Sequence, residues 1–157
     1  MAASAFRTYA IFNERQSETT GISLGSNTFK IALFRSTAST SNANTYNSSY
    51  YADLTAEHTT SGGGYTLGGE TLASVAWTST YLSTGATFDA TDPVWTASTG
   101  GLSPKYAVIY ASTSSMLVGF FDLETSGSTH EVAVTNTNTL TIQFSTSGIF
   151  TLTGATA

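Results

Sequence analysis

The sequence predicts an all-β fold, an antiparallel β-sandwich of about eight or nine short strands, and three observations predict it. Apolar and aromatic residues come in runs of roughly four to eight, rich in β-branched types. Gly, Ser, Asn, Asp or Pro separates one run from the next. No window of about 11 residues carries an amphipathic helical stripe. Strands that follow one another without connecting helices pair antiparallel. A single sheet of that width would leave one apolar face wet, so two packed sheets are expected.

Residues 1–27 read as an N-terminal arm, or a first strand with a loop, and residues 28–157 as the sandwich domain. Within the arm, Phe6 to Ile11 suits a short strand or a helical turn, and Glu14 to Glu18, the most charged stretch, suits an exposed turn. Strand signals begin at Thr28, where Phe29, Ile31 and Leu33 alternate with Thr28, Lys30 and Ala32. A period of two is expected where one sheet face is buried. Residues 36–50, full of Ser, Thr and Asn, read as a loop packed by Tyr46, Tyr50 and Tyr51. Ser61-Gly62-Gly63-Gly64-Tyr65 and Gly68-Gly69 mark tight turns or bulges, because glycine alone tolerates positive φ and close backbone approach freely. A phosphate cradle would need a helix next, and a β-rich segment from Thr71 to Trp77 follows instead. The remaining runs are Ala86–Phe88, Val94–Ala97, Tyr106–Tyr110, Met116–Leu123, Val132–Val134, Thr139–Phe144 and Ile149–Thr153. No fixed-period repeat and no composition break points to a solenoid or a second domain.

Charge is the unusual property. Only 10% of the 157 residues are Asp, Glu, Lys or Arg, against about 25% in an ordinary soluble domain. Roughly a third are Ser or Thr. Hydroxyls, amides and backbone must therefore cover the wet surface, and a neighbouring subunit can cover such a surface without stripping water from many ions. The net charge is −5, and the five bases, Arg7, Arg15, Lys30, Arg35 and Lys105, are scattered. Nucleic-acid binding needs clustered bases, so that class is excluded. No apolar run is long enough to span a membrane as a helix. Cysteine is absent, which excludes disulfides and thiolate metal sites. Met1 to Ala5 offers no basic or long apolar leader region, so a chain that is not secreted is expected.

No catalytic, cofactor or metal residue is assigned. His58 and His130 stand apart in polar segments, without the spacing a metal site needs, and read as surface histidines. Glu57 beside His58 is poorly placed to act with it, since adjacent strand residues face opposite ways. Asp89 and Asp92 could share a calcium ion, but Asp-x-x-Asp-Pro is strong turn chemistry and each carboxylate is expected to accept a turn hydrogen bond. Asp122 is expected to cap a strand end or pair with Lys105 or an arginine. No Gly-x-Ser-x-Gly elbow supports a hydrolase. Trp77 and Trp95 could stack sugars, yet both lie in strand-like runs and are expected in the core. Asn47-Ser48-Ser49 meets the glycosylation rule by chance in so Asn- and Ser-rich a chain.

The order of motifs carries further information. Thr28-Phe29-Lys30-Ile31-Ala32-Leu33-Phe34 precedes Tyr51-Ala52-Asp53-Leu54, Gly63-Gly64-Tyr65, Gly68-Gly69 and Thr71-Leu72. Ala86-Thr87-Phe88-Asp89-Ala90, Val94-Trp95-Thr96-Ala97, Tyr106-Ala107-Val108-Ile109-Tyr110 and Leu117-Val118-Gly119-Phe120-Phe121-Asp122 follow, and Gly148-Ile149-Phe150-Thr151-Leu152-Thr153 closes the chain. This succession, over residues 28–153, resembles small all-β structural proteins of tailed-phage particles, the head decoration or cement proteins and minor structural proteins. The resemblance implies a jelly-roll-like sandwich that forms homotrimers on the capsid exterior and binds the major capsid protein. It implies no cofactor, no enzymatic activity and synthesis in a bacterial host cytoplasm. A head–tail connector or tail protein is the alternative within the particle, and a carbohydrate-binding module or adhesin the alternative outside it.

Overall fold

The computed structural model describes residues 4–15, 21–40, 48–59, 64–79 and 85–153. Glu18, Tyr46, Asn47, Gly62 and Gly63, which figure in the sequence reading, lie outside them. In chain order the elements are β1 (Arg7–Thr8), α1 (Ala10–Arg15), β2 (Phe29–Phe34), β3 (Glu70–Thr71), β4 (Ala76–Ser79), β5 (Gly85–Asp89), β6 (Val94–Thr96), β7 (Tyr106–Ala111), β8 (Leu117–Asp122), β9 (Thr139–Thr141) and β10 (Phe150–Thr153). Every strand pair is antiparallel. The all-β antiparallel class is therefore as the sequence predicts.

The layering differs from two plain sheets. The described strands form a five-stranded sheet in the order β1-β8-β7-β2-β3, a three-stranded sheet β10-β5-β4 and a two-stranded sheet β6-β9. One face of the five-stranded sheet, carrying Phe29, Ile31, Leu33, Ile109 and Val118, packs in one cluster with Phe88 of β5, Trp95 of β6 and Leu140 of β9. The two smaller sheets together thus make the second layer of the sandwich.

The opposite face is buried too. Ala32, Phe34, Tyr106, Val108, Leu117 and Phe120 form a second cluster, with Tyr9 beside them and Ile11, Tyr51 and Leu54 packed against it. Strand β7 is buried at all six residues, and β2 at all but Lys30. One-face alternation is therefore the wrong description of Thr28–Phe34. Lys30-Ile-Ala-Leu-Phe and Tyr106-Ala-Val-Ile-Tyr-Ala are near-continuous apolar runs, which is what burial on both faces requires. Their register, Ile31 opposite Ile109 and Ala32 opposite Val108, gives each cluster one parity of both strands.

Other departures have local causes. Phe6 to Ile11 is both of the expected alternatives in turn, strand at Arg7–Thr8 and helix from Ala10. The Thr71–Trp77 segment breaks into β3 and β4 where Ser74 takes a φ of 51°. Val132–Val134 supplies only a bridge, Leu102 opposite Val134. Strand β9 stops at Thr141; the Ile142 N–H still reaches the Pro93 carbonyl at 3.1 Å, and the Phe144 N–H turns to the Asp92 carboxylate, 2.8 Å away.

Two glycines hold the layers together at close range. Gly64 (φ +74°) and Gly69 (φ +69°) both occupy the left-handed region. A Cβ at Gly64 would overlap the Thr96 carbonyl oxygen, and one at Gly69 the Ile31 carbonyl oxygen. Gly64→Val and Gly69→Val are each expected to abolish cooperative unfolding or lower the melting temperature sharply, because strain and overlap add. Calorimetry showing a double mutant that melts like the parent would remove this role.

Candidate functional site

The densest polar constellation surrounds Glu57. Its backbone pairs with Phe34 at the end of β2, so adjacent Glu57 and His58 diverge, as strand geometry requires. The Glu57 carboxylate accepts hydrogen bonds from the Tyr51 hydroxyl, the Tyr65 hydroxyl (2.6 Å) and the Gly68 N–H (2.7 Å). The Tyr65 hydroxyl in turn accepts from the Leu33 N–H at 3.0 Å. Tyr51 stacks on Tyr110 with ring centroids 4.3 Å apart, and the Tyr110 hydroxyl donates to the Gly68 carbonyl at 2.7 Å. Burial, followed by the Glu57 carboxylate, pushes the Tyr51 and Tyr65 hydroxyls far above the ordinary phenol range. They remain protonated donors, and the carboxylate works as a clamp that ties the tyrosine loop to the sheet.

His58 corrects the surface reading. It is only 6% exposed. Its Nε2 accepts from the Ser103 N–H at 3.0 Å, which puts the ring proton on Nδ1, 3.0 Å from the Thr59 carbonyl. Both ring nitrogens are thus held by backbone. His130 is exposed, with Nδ1 2.8 Å from the Ser126 hydroxyl.

Most of the scarce charges have partners within the chain, although only Lys105 and Glu124 among them are buried. Lys105, 1% exposed, pairs with Asp122 at 2.8 Å, one of the alternatives the sequence leaves for that acid, and donates to the carbonyls of Glu124 and Gly127. Glu131 meets Arg35 at 3.3 Å and accepts from the Ser36 N–H at 2.7 Å. Asp53 accepts from the Ser49 and Tyr50 N–H groups, and Glu124 from the Ser126 N–H. Asp92 accepts from Phe144 as described above. With Glu57 and Asp122, these make six of the ten acids that satisfy backbone donors, tyrosines or a buried lysine.

Asp89 does not join Asp92 at a turn. Its Oδ1 is buried without a hydrogen-bond partner among the described residues, and it borders a hollow of about 320 Å³ with Thr78, Thr87 and Ser147. Among the described residues no group of three His, Asp or Glu could hold a metal ion. Trp95 is fully buried, which removes it as a sugar-stacking surface. Trp77 is half-buried, its ring 6.4 Å from that of Phe150.

A hollow of about 690 Å³ is walled by Phe6, Phe121, Leu123, Ile142, Phe144 and Ile149 without a charged residue. On the outer face of the three-stranded sheet, Thr78, Thr87 and Thr151 stand directly opposite one another across β4, β5 and β10. No helix among the described residues is long and apolar enough to cross a membrane. Comparison with family models, curated proteins and solved structures finds no match to this chain.

Sequence reasoning missed the Glu57 clamp and the burial of His58. The usable signal was Tyr51 and Tyr65 standing within a few residues on either side of Glu57, since buried phenols need acceptors.

Tyr65→Phe should destabilise the fold by roughly 1–3 kcal/mol, because it strands the Leu33 N–H and removes a Glu57 donor. A urea midpoint unchanged from the parent would contradict the clamp. Burial alone would raise the Glu131 carboxyl, but the Ser36 N–H and hydroxyl and the Arg35 guanidinium pull it below its ordinary 4.5. Its stabilising contribution is therefore complete above that ordinary value and is lost as pH falls through the folded one. Glu131→Gln should flatten the decline of melting temperature between about pH 5 and pH 3. A decline as steep as the parent's would contradict this.

Proposed function

We propose that this chain is a non-enzymatic structural component of a tailed-phage particle, a decoration or cement protein on the outer surface of the major capsid shell. The observation that carries the reading is a chain only 10% charged and rich in Ser and Thr, which leaves most of its polar surface to hydroxyls, amides and backbone. Covering such a surface desolvates few ions, so a subunit neighbour can sit on it at little electrostatic cost. The order of motifs over residues 28–153 supports the same reading through its resemblance to phage head proteins, and with it a jelly-roll lineage and a homotrimer. Made in the host cytoplasm, the protein would add to the assembled head.

The mechanism follows from mass action. Contacts spread over several capsid subunits combine modest affinities into avidity. A ligand that binds the expanded lattice and not the unexpanded one stabilises the expanded form by linkage.

Purified protein should bind saturably to expanded heads that lack it, ignore unexpanded heads, and raise the temperature at which heads rupture. Electron microscopy should then place its density outside the shell. Density in the tail, or self-assembly into rings and tubes, would instead assign it to the connector or tail class.

A further inference from the structure

An outer strand leaves a row of backbone donors and acceptors facing away from its sheet, and folded proteins limit that exposure with short strands, charge, proline or bulges. The five-stranded sheet is limited in this way. Its outer strands β1 and β3 have two residues each and carry Arg7 and Glu70. The three-stranded sheet is different. Its outer strands β4 and β10 have four residues each, with no charge and no proline, in unbroken register with β5.

Of these two edges β10 is the one that leaves a large apolar side chain to solvent, while Phe150 at its start packs against Phe6 and Phe12. The turn at Gly25 flanks β4, since a Cβ there would sit 3.9 Å from the Trp77 Cβ. Along β10, Thr151, Leu152 and Thr153 are exposed, and Leu152, at 37%, is among the few large apolar side chains left to solvent. Among the described residues no backbone group bonds the outer edge of β10.

We propose that two copies of this chain pair through β10, antiparallel about a two-fold axis, so that two three-stranded sheets become one six-stranded sheet. Only an extended strand satisfies the row of groups β10 presents, which fixes the class of partner. A second β10 brings no charge to desolvate and no like charge to oppose. Its Thr and Phe residues favour the extended state. The two-fold operation supplies the antiparallel arrangement and covers Leu152 of each copy with the other's strand. On the opposite face it continues the Thr78–Thr87–Thr151 row across the axis, where facing threonines pair favourably.

This contact goes beyond the capsid reading and does not depend on it. Four paired residues make a small interface, so association should depend on concentration. Light scattering across a concentration series should show the mass rising from monomer to dimer. Leu152→Lys should hold the mass at half the parent's high-concentration value while leaving the melting temperature in place, since residue 152 is exposed. The chain has no cysteine, so Thr151→Cys and Leu152→Cys each introduce one thiol, and at least one should give a disulfide-linked dimer on mild oxidation. A monomer at every concentration with neither variant cross-linking would overturn the inference. So would any oligomer, trimer included, whose mass Leu152→Lys leaves unchanged. A monomer that still binds expanded heads would sink this contact and keep the capsid reading, and a β10 dimer that ignores heads would do the reverse.

Discussion

The fold depends on a central pair of strands, β2 and β7, that is buried on both faces. Six consecutive register pairs join them, from Phe29 opposite Ala111 to Phe34 opposite Tyr106. A sheet with two apolar faces needs two covers. On one side the three-stranded and two-stranded sheets close over Phe29, Ile31 and Leu33. On the other no sheet is available, and α1 with the tyrosine loop does the same work over Phe34, Val108 and Phe120.

The second cover explains where the polar chemistry went. A short helix and a single 3-10 turn at Tyr51–Asp53 reach the sheet through only a few backbone hydrogen bonds, such as His58 N–H to the Leu33 carbonyl. Glu57 makes up the deficit by taking two tyrosine hydroxyls and the Gly68 N–H, while Tyr51 lies flat on Tyr110. A carboxylate so held is costly to leave unpaired. The same logic applies to Lys105, whose ammonium meets one carboxylate and two carbonyls inside the fold. With 10% charged residues to begin with, the exterior is poor in charge, though its net charge stays negative.

Much of this was legible in the sequence because it rests on local patterning. The strands around Phe29–Phe34, Tyr106–Tyr110 and Leu117–Asp122 announce themselves by β-branched and aromatic density, and Gly64 and Gly69 by their place between runs. The Lys105–Asp122 pair was legible as one of a few possible partners. What was hidden depends on contacts distant in sequence. Nothing near His58 says that the Ser103 N–H will seek its ring, and Asp92 is taken by Phe144, 52 residues away. The reading of Thr28–Phe34 as half-exposed failed for a related reason. Alternation can be seen within a strand, but whether a loop such as Tyr51–Leu54 will cover the other face cannot.

A charge-poor exterior and an open strand edge are two expressions of one design pressure. A free-standing monomer gains solubility and protection against strand addition from surface charge, and each charge placed on an edge raises the cost of covering that edge. Here the edges carrying charge, β1 and β3, are also the shortest, and the two longest edges, β4 and β10, carry none. The distribution suits a molecule whose outer strands are meant to be covered selectively. Scarcity of charge lowers the desolvation cost wherever a neighbour docks, and only an uncharged edge of useful length directs which neighbour, in which orientation, can do so.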